Sequence, residues 1–182
     1  MAGESHEEGN IDDVDEIYMN FYEALQQGSW TDAGRLLYFH PNAIGAKIAV
    51  TGNSALRVAA EAGQVGIVEE LVKLMPEENL ETKDFGFSAL AWAASNGNFR
   101  MTQCMLGTNA NLLTIRNNFG TIPVVLALKN GHLDLARYIY LHTPSEILLA
   151  ERSSIAATVV SEAIYNNAFQ NIFFQRRMQS QG

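Results

Sequence analysis

Cysteine, basic charge in the leading segment and long apolar runs are what this chain has least of. Cys104 stands alone, so no intrachain disulfide can form, and an isolated thiol in an apolar stretch suits a reducing compartment. No run of about 18 uncharged apolar residues occurs, so no membrane-spanning helix is expected. The first residues are acidic and lack an apolar core, which argues against a signal peptide. Ala2 in place of glycine excludes N-myristoylation. With no Asn-x-Ser/Thr acceptor either, a soluble, cytoplasmic protein is expected. Residues 1–40 hold nine acids against one base, Arg35, and this accounts for the whole net charge of -8. The other residues carry eleven charges of each sign, so they make no basic field and nucleic acid is disfavoured as a partner. Catalytic signals are equally sparse. His6, His40, His132 and His142 show no metal-ligand spacing, and the glycines fit neither phosphate-loop pattern. No catalytic residue, cofactor or metal is expected, and Cys104 reads as a small buried hydrophobe.

Against these absences stands a repeat. Residues 52–63 read Gly-Asn-Ser-Ala-Leu-Arg-Val-Ala-Ala-Glu-Ala-Gly. At an interval of 34, residues 86–97 read Gly-Phe-Ser-Ala-Leu-Ala-Trp-Ala-Ala-Ser-Asn-Gly, and residues 120–131 read Gly-Thr-Ile-Pro-Val-Val-Leu-Ala-Leu-Lys-Asn-Gly. A fixed period of about 20 to 50 residues marks stacked repeats, and a 47% hydrophobic share supplies a core to fold them. The pattern predicts an all-α solenoid of stacked helix pairs with protruding turns. Gly63, Gly97 and Gly131 are expected in the left-handed region between the helices of each pair, and Gly52, Gly86 and Gly120 in the turns. The small pairs Ala59-Ala60 and Ala93-Ala94 let the first helices stack closely, with Leu56, Leu90 and Val124 between neighbours.

This register divides the chain into six segments. Residues 1–11 are an acidic tail expected to be disordered, and 12–47 an N-terminal capping repeat whose two helices end at Gly28 and at His40-Pro41. Full repeats follow at 48–81, 82–115 and 116–150, with a degenerate or truncated C-terminal repeat at 151–182. Helices are expected over 54–62 and 65–74, then 88–96 and 99–106, then 122–130 and 133–141, with links at 76–84 and 109–116 and a link helix at 145–151. Phe169, Phe173 and Phe174 in the last segment offer a route to an oligomer through the C-terminal end.

Turn, helix, glycine, helix at this period resembles the ankyrin repeat. Ser54-Ala55-Leu56-Arg57-Val58-Ala59-Ala60 and Ser88-Ala89-Leu90-Ala91-Trp92-Ala93-Ala94 are similar to its Thr-Pro-Leu-His-x-Ala-Ala stretch. Ile122-Pro123-Val124-Val125-Leu126-Ala127-Leu128 is a looser match. All three lack the histidine whose hydrogen bonds usually steady the turn, having Arg57, Ala91 and Val125 instead. A narrower likeness runs through Gly28-Ser29-Trp30, residues 40–48, residues 67–75 and residues 80–84. These resemble the repeat domain of plant membrane-anchored ankyrin proteins of the accelerated-cell-death type, the PGG-domain family. There, cytosolic repeats precede a four-helix membrane domain and bear on defence or salt-stress signalling. No such domain lies in these residues, so direct membrane insertion is not expected of this chain.

The resemblance implies a non-catalytic module that binds a protein or peptide partner in a concave groove lined by turn tips and inner helices. The residues it places there are Asn53, Arg57, Glu61, Phe85, Phe87, Trp92, Ser95, Asn96, Phe119, Thr121 and Lys129. Phe85, Phe87 and Phe119 on projecting turns read as anchors, Phe87 most clearly, since exposed aromatics tend to mark interfaces. The opposing expectation is that Phe85 and Phe119 fold down onto the next repeat. The alternative function is a cytosolic regulatory domain that docks on a channel or other membrane assembly, which would hold the chain at a membrane surface.

Overall fold

Seven-residue inner helices alternate with ten-residue outer helices through most of the chain. The computed structural model describes residues 11–47 and 52–150, so the expectations for the acidic tail up to residue 10 and for the C-terminal repeat lie outside the described residues. In chain order, α1 (Ile11–Gln27) and α2 (Trp30–Phe39) are followed by a 3-10 turn (Pro41–Ile44), α3 (Ala55–Glu61), α4 (Val65–Leu74) and the single-turn α5 (Glu77–Leu80). A short hairpin of β1 (Lys83–Asp84) and β2 (Phe87–Ser88) leads into α6 (Ala89–Ser95) and α7 (Phe99–Thr108). A second 3-10 turn (Ala110–Thr114) precedes α8 (Pro123–Lys129), α9 (Leu133–His142) and α10 (Ser145–Ala150). Helices α1, α3, α6 and α8 stack in sequence as an inner layer, each backed by its own outer helix, and α4 packs on α7. This is the all-α repeat solenoid that the 34-residue period predicts.

Local chemistry sets the bounds of each pair. Ser54 and Ser88 cap the inner helices, their hydroxyls accepting from the amides of Arg57 (3.3 Å) and Ala91 (3.2 Å). In the third repeat Ile122 holds the cap position without a side-chain bond, and Pro123 removes an amide there instead. Each inner helix ends at a glycine in the left-handed region, with φ of 73° at Gly63, 72° at Gly97 and 78° at Gly131, as expected. The turn glycines Gly52, Gly86 and Gly120 are also left-handed, and Gly28 (φ 77°) serves the first pair. Every residue from 55 to 60 is buried, because α3 is enclosed by α1, α6 and α4.

Both links contain a helical turn. Glu77–Leu80 and Ala110–Thr114 are helical turns, the second opened by Asn109, whose side chain accepts from Asn111 N at 2.8 Å. Asn109 is buried and also donates to Glu81 at 3.0 Å, tying one link to the next. Helix α7 runs two residues beyond the expected end for the same reason, since Asn109 N still bonds Met105 O at 3.0 Å.

A recurring bond joins successive repeats. Gln64, the residue after Gly63, reaches back to the carbonyl of Gln26 (2.9 Å), two residues before Gly28. His132, the residue after Gly131, bonds the carbonyl of Ser95 (3.0 Å), two residues before Gly97. Each side chain crosses the space where the earlier glycine would carry a Cβ. His132 is thus structural, as its position after the glycine suggests. In the middle repeat Asn98 is too short for this reach and caps α7 through Met101 N (3.1 Å), which leaves the space beside Gly63 open.

One core position is chemically mismatched. Val68, Thr102 and Ala136 share a register position and are all fully buried, yet the Thr102 hydroxyl has no partner. Thr102→Val keeps the volume and removes that hydroxyl, so a gain of about 1–2 kcal/mol is expected. Chemical denaturation of the two proteins checks it, and a loss of stability would show that the hydroxyl is satisfied. Tyr22, also buried, bonds the carbonyl of Ala46 at 2.6 Å, and burial, with Asp84 and Tyr18 adding, pushes its hydroxyl pKa well up. Burial likewise pushes the half-buried Cys104 thiol up, with Glu69 adding, so it is no activated nucleophile.

Candidate protein-binding face

The second turn is a two-residue hairpin. Lys83 pairs with Ser88 and Asp84 with Phe87, so Phe85-Gly86 forms the loop, and both residues have positive φ, 50° and 84°. Such a loop matches the twist of the flanking strands and favours Asn-Gly or Asp-Gly. Gly86 meets the requirement, and the Asn118 side chain occupies the place where a Cβ would stand while Asn118 N bonds Gly86 O at 3.1 Å. Phe85 does not meet it. A left-handed bulky residue costs about 1–2 kcal/mol, and Phe85 bears this while 72% exposed. Phe85→Asn is therefore expected to stabilise the fold by roughly 1 kcal/mol, read as a raised melting temperature.

A buried carboxylate ties this turn to the one before it. Asp84 is 2% exposed, and its Oδ2 accepts from Ser54 N (2.9 Å) and Ser54 Oγ (2.5 Å). Its Oδ1 faces Lys47 Nζ at 2.9 Å as an ion pair rather than a directed hydrogen bond. Arg57 donates to the Asp84 carbonyl (3.3 Å), pairs with Glu61 (3.3 Å) and lies 4.0 Å above the Trp92 ring. Arg57 thus takes over the turn-steadying bond that a histidine would make. The third turn is held by buried Asn117, which accepts from the amides of Phe119 (3.0 Å) and Thr121 (2.9 Å) and donates to Thr121 O (2.9 Å). Arg116 adds a bond to Gly120 O at 3.0 Å.

These bonds present a continuous aromatic run. Phe87 meets Trp92 edge-on at 6.3 Å and Phe119 at 6.5 Å. Phe87 and Trp92 are half-buried, whereas Phe119 is 82% exposed and Phe85 nearly as much. The expected order is reversed: Phe85 and Phe119 do not fold down, and Phe87 is the half-buried ring, packed on Trp92 and Phe119. Arg57, expected on the face, is buried beneath it. Glu61, Ser95 and Lys129 hold one register position at the ends of α3, α6 and α8, away from the turns, with Glu61 and Lys129 exposed and Ser95 half-buried. Asn96 is exposed and bonds the Trp92 carbonyl at 3.0 Å, while Asn53 and Thr121 are half-buried in the first and third turns. Asp84, Lys47 and Asn117, which position the face, carry no motif of their own, and only the Asp-x-Gly spacing of Asp84 and Gly86 hints at a turn role.

Among the described residues no group of three His, Cys, Asp or Glu is placed to hold a metal. No described helix is long and apolar enough to cross a membrane. Comparison with curated proteins finds no match. A family model for ankyrin repeats matches residues 56–150 as three copies. Ankyrin repeats are generally protein–protein interaction modules and typically non-catalytic. By that match over just more than half its length, and by the helix pairs and turns that fill the matched span, the chain belongs to the ankyrin-repeat family.

Proposed function

We propose that the repeats bind a segment of a partner protein across the second and third turns. Phe85 and Phe119 are the anchors, with Phe87 and Trp92 packed behind Phe119. The observation that carries this reading is Phe85, an aromatic residue kept in a left-handed conformation with its ring in solvent. Strain held at a largely exposed side chain points to use by a partner. The stacked scaffold orders the anchors before binding, so little side-chain and backbone freedom is lost on association. Glu61, Asn96 and Lys129 supply polar selectivity along the groove, with Asn53, Ser95 and Thr121 beside them. Arg57 acts from below, by holding Trp92 and the second turn.

The test is affinity capture with Phe85→Ser plus Phe119→Ser. Both rings are exposed, so the fold is retained while capture falls by about 30-fold or more, the loss expected for a hot-spot pair. Unchanged capture with an unchanged melting temperature would remove these residues from the binding face. The likeness to plant membrane-anchored ankyrin proteins supports a cytosolic setting in plant stress or defence signalling. It also favours a second reading, docking on a membrane assembly, which fluorescence imaging of a tagged chain would reveal as a rim at the membrane.

A further inference from the structure

We infer that residues 151–182 cover the far side of α8 as a fourth layer of the stack. Each repeat touches only its neighbours, so the inner helix at either end of a stack should keep one open flank. At α1 this holds. Glu16, Met19, Asn20, Glu23 and Gln26 are exposed, and burial falls on one side, at Phe21, Tyr22, Ala24 and Leu25. Helix α8 is different. Among the described residues it packs chiefly on α6 to one side, on α9 behind and on the second 3-10 turn, with no inner helix on the side away from α6. Yet every residue from Pro123 to Leu128 is buried, as residues 55–60 are in α3, which has inner helices on both sides. Val124, Val125 and Leu128 are only 1%, 3% and 2% exposed. At about 3.6 residues per turn, consecutive residues over this length point in every direction around the axis. Neighbours on two sides cannot bury them all, so the flank away from α6 is covered.

Position and length name the occupant. Residues 1–10 lead into α1 at the other end of the stack, and 48–51 belong to the first repeat. Residues 151–182 follow α10, which holds the link position that Glu77–Leu80 and Ala110–Thr114 hold in their repeats, just before the next turn. They are nearly one 34-residue period long. Val159, Val160, Ala163 and Ile164 recur at the spacing of one helix face, and so do Phe169, Ile172 and Phe173. A second copy of the chain is the other cover that such a flank could take. The burial of α8 is complete within one chain, however, and apolar residues spent on α8 are not free to build an oligomer.

Hydrogen exchange of the whole chain, with light scattering of the same samples, tests this. The expected result is a monomer whose amides within 158–174 exchange at least about tenfold more slowly than those of an unstructured chain. Val160→Asp plus Ile164→Asp should then speed exchange in α8 about tenfold while α3 keeps its protection. If the aspartates unfold the whole chain, Val160→Ala plus Ile164→Ala takes their place, with the same contrast between α8 and α3 expected at a smaller size. Free-chain exchange across 151–182 in the parent overturns the inference. Protection that appears only as the chain dimerises overturns it too, and assigns the flank to a second copy. A substituted chain in which α8 stays as slow as in the parent places the segment elsewhere on the molecule, and equal acceleration in α3 and α8 denies it a specific seat; either result overturns the inference.

Discussion

Gly97→Val is expected to cost about 3–5 kcal/mol, against roughly 1–2 kcal/mol for Gly63→Val, although the two glycines hold the same place in successive repeats. Their backbones are alike, with φ of 72° and 73°, so the conformational penalty is shared. Their surroundings are not. A Cβ on Gly63 would meet nothing within 4 Å, whereas one on Gly97 would lie 2.5 Å from His132 Nδ1 and 2.6 Å from Cε1. The ring must then swing away from Ser95 O and give up its 3.0 Å bond, leaving only the exposed Asn130 bond to Ser95 Oγ (3.2 Å) between the end of α6 and the next repeat. Urea denaturation of both variants measures the difference. A cycle with His132→Ala isolates its cause, because without the ring Gly97→Val should fall to the Gly63 value. Equal losses at the two glycines would mean that the ring yields without cost.

That contrast also shows which parts of the molecule the sequence makes legible. A 34-residue spacing of glycines is local information, since a left-handed residue between two helices needs glycine whatever surrounds it. The bounds of α4 and the starts of α7, α9 and α10 followed from that spacing, and the inner helices α3, α6 and α8 begin and end one residue inside the expected spans. Whether a glycine is also crossed by a neighbour depends on the side chain one repeat later, Asn98 in one case and His132 in the other. No local pattern signals it.

The face was legible in outline and not in detail. Position in the register places Phe85, Phe87 and Phe119 on turns, but exposure depends on how each turn is bonded. Buried Asn117 props the third turn and sets Phe119 upright, and the paired strands of the second turn send Phe87 inward to Trp92. Arg57 stands where a groove residue is expected, and only the carbonyl of Asp84 and the ring of Trp92 in the next repeat draw it under the surface. The inverse holds for Phe85. Its backbone strain is invisible in the sequence because Phe-Gly is not a loop pair that the hairpin geometry favours.

Asp84→Ala is expected to lower stability by about 3 kcal/mol and to loosen the first and second turns together. Loss of the carboxylate strands two buried donors at once, Ser54 N and Ser54 Oγ, each worth about 1–3 kcal/mol when left unmade. Lys47 contributes less to the loss, because a side chain 45% exposed regains water when its partner goes. Asp84→Asn keeps an acceptor for Ser54 and is expected to cost about half as much. Lys47→Met should also cost less than Asp84→Ala, since Ser54 still supports the charge from two sides. The turn geometry follows the same order, for the carbonyl of Asp84 anchors Arg57 and its strand holds Phe85 left-handed. Hydrogen exchange at the Ser54 amide reports it directly, with protection lost in Asp84→Ala and largely kept in Asp84→Asn. Equal stability losses in the two variants, with the Ser54 amide still protected, would show that Asp84 acts through its charge on Lys47 alone and that the turns are held by their backbones.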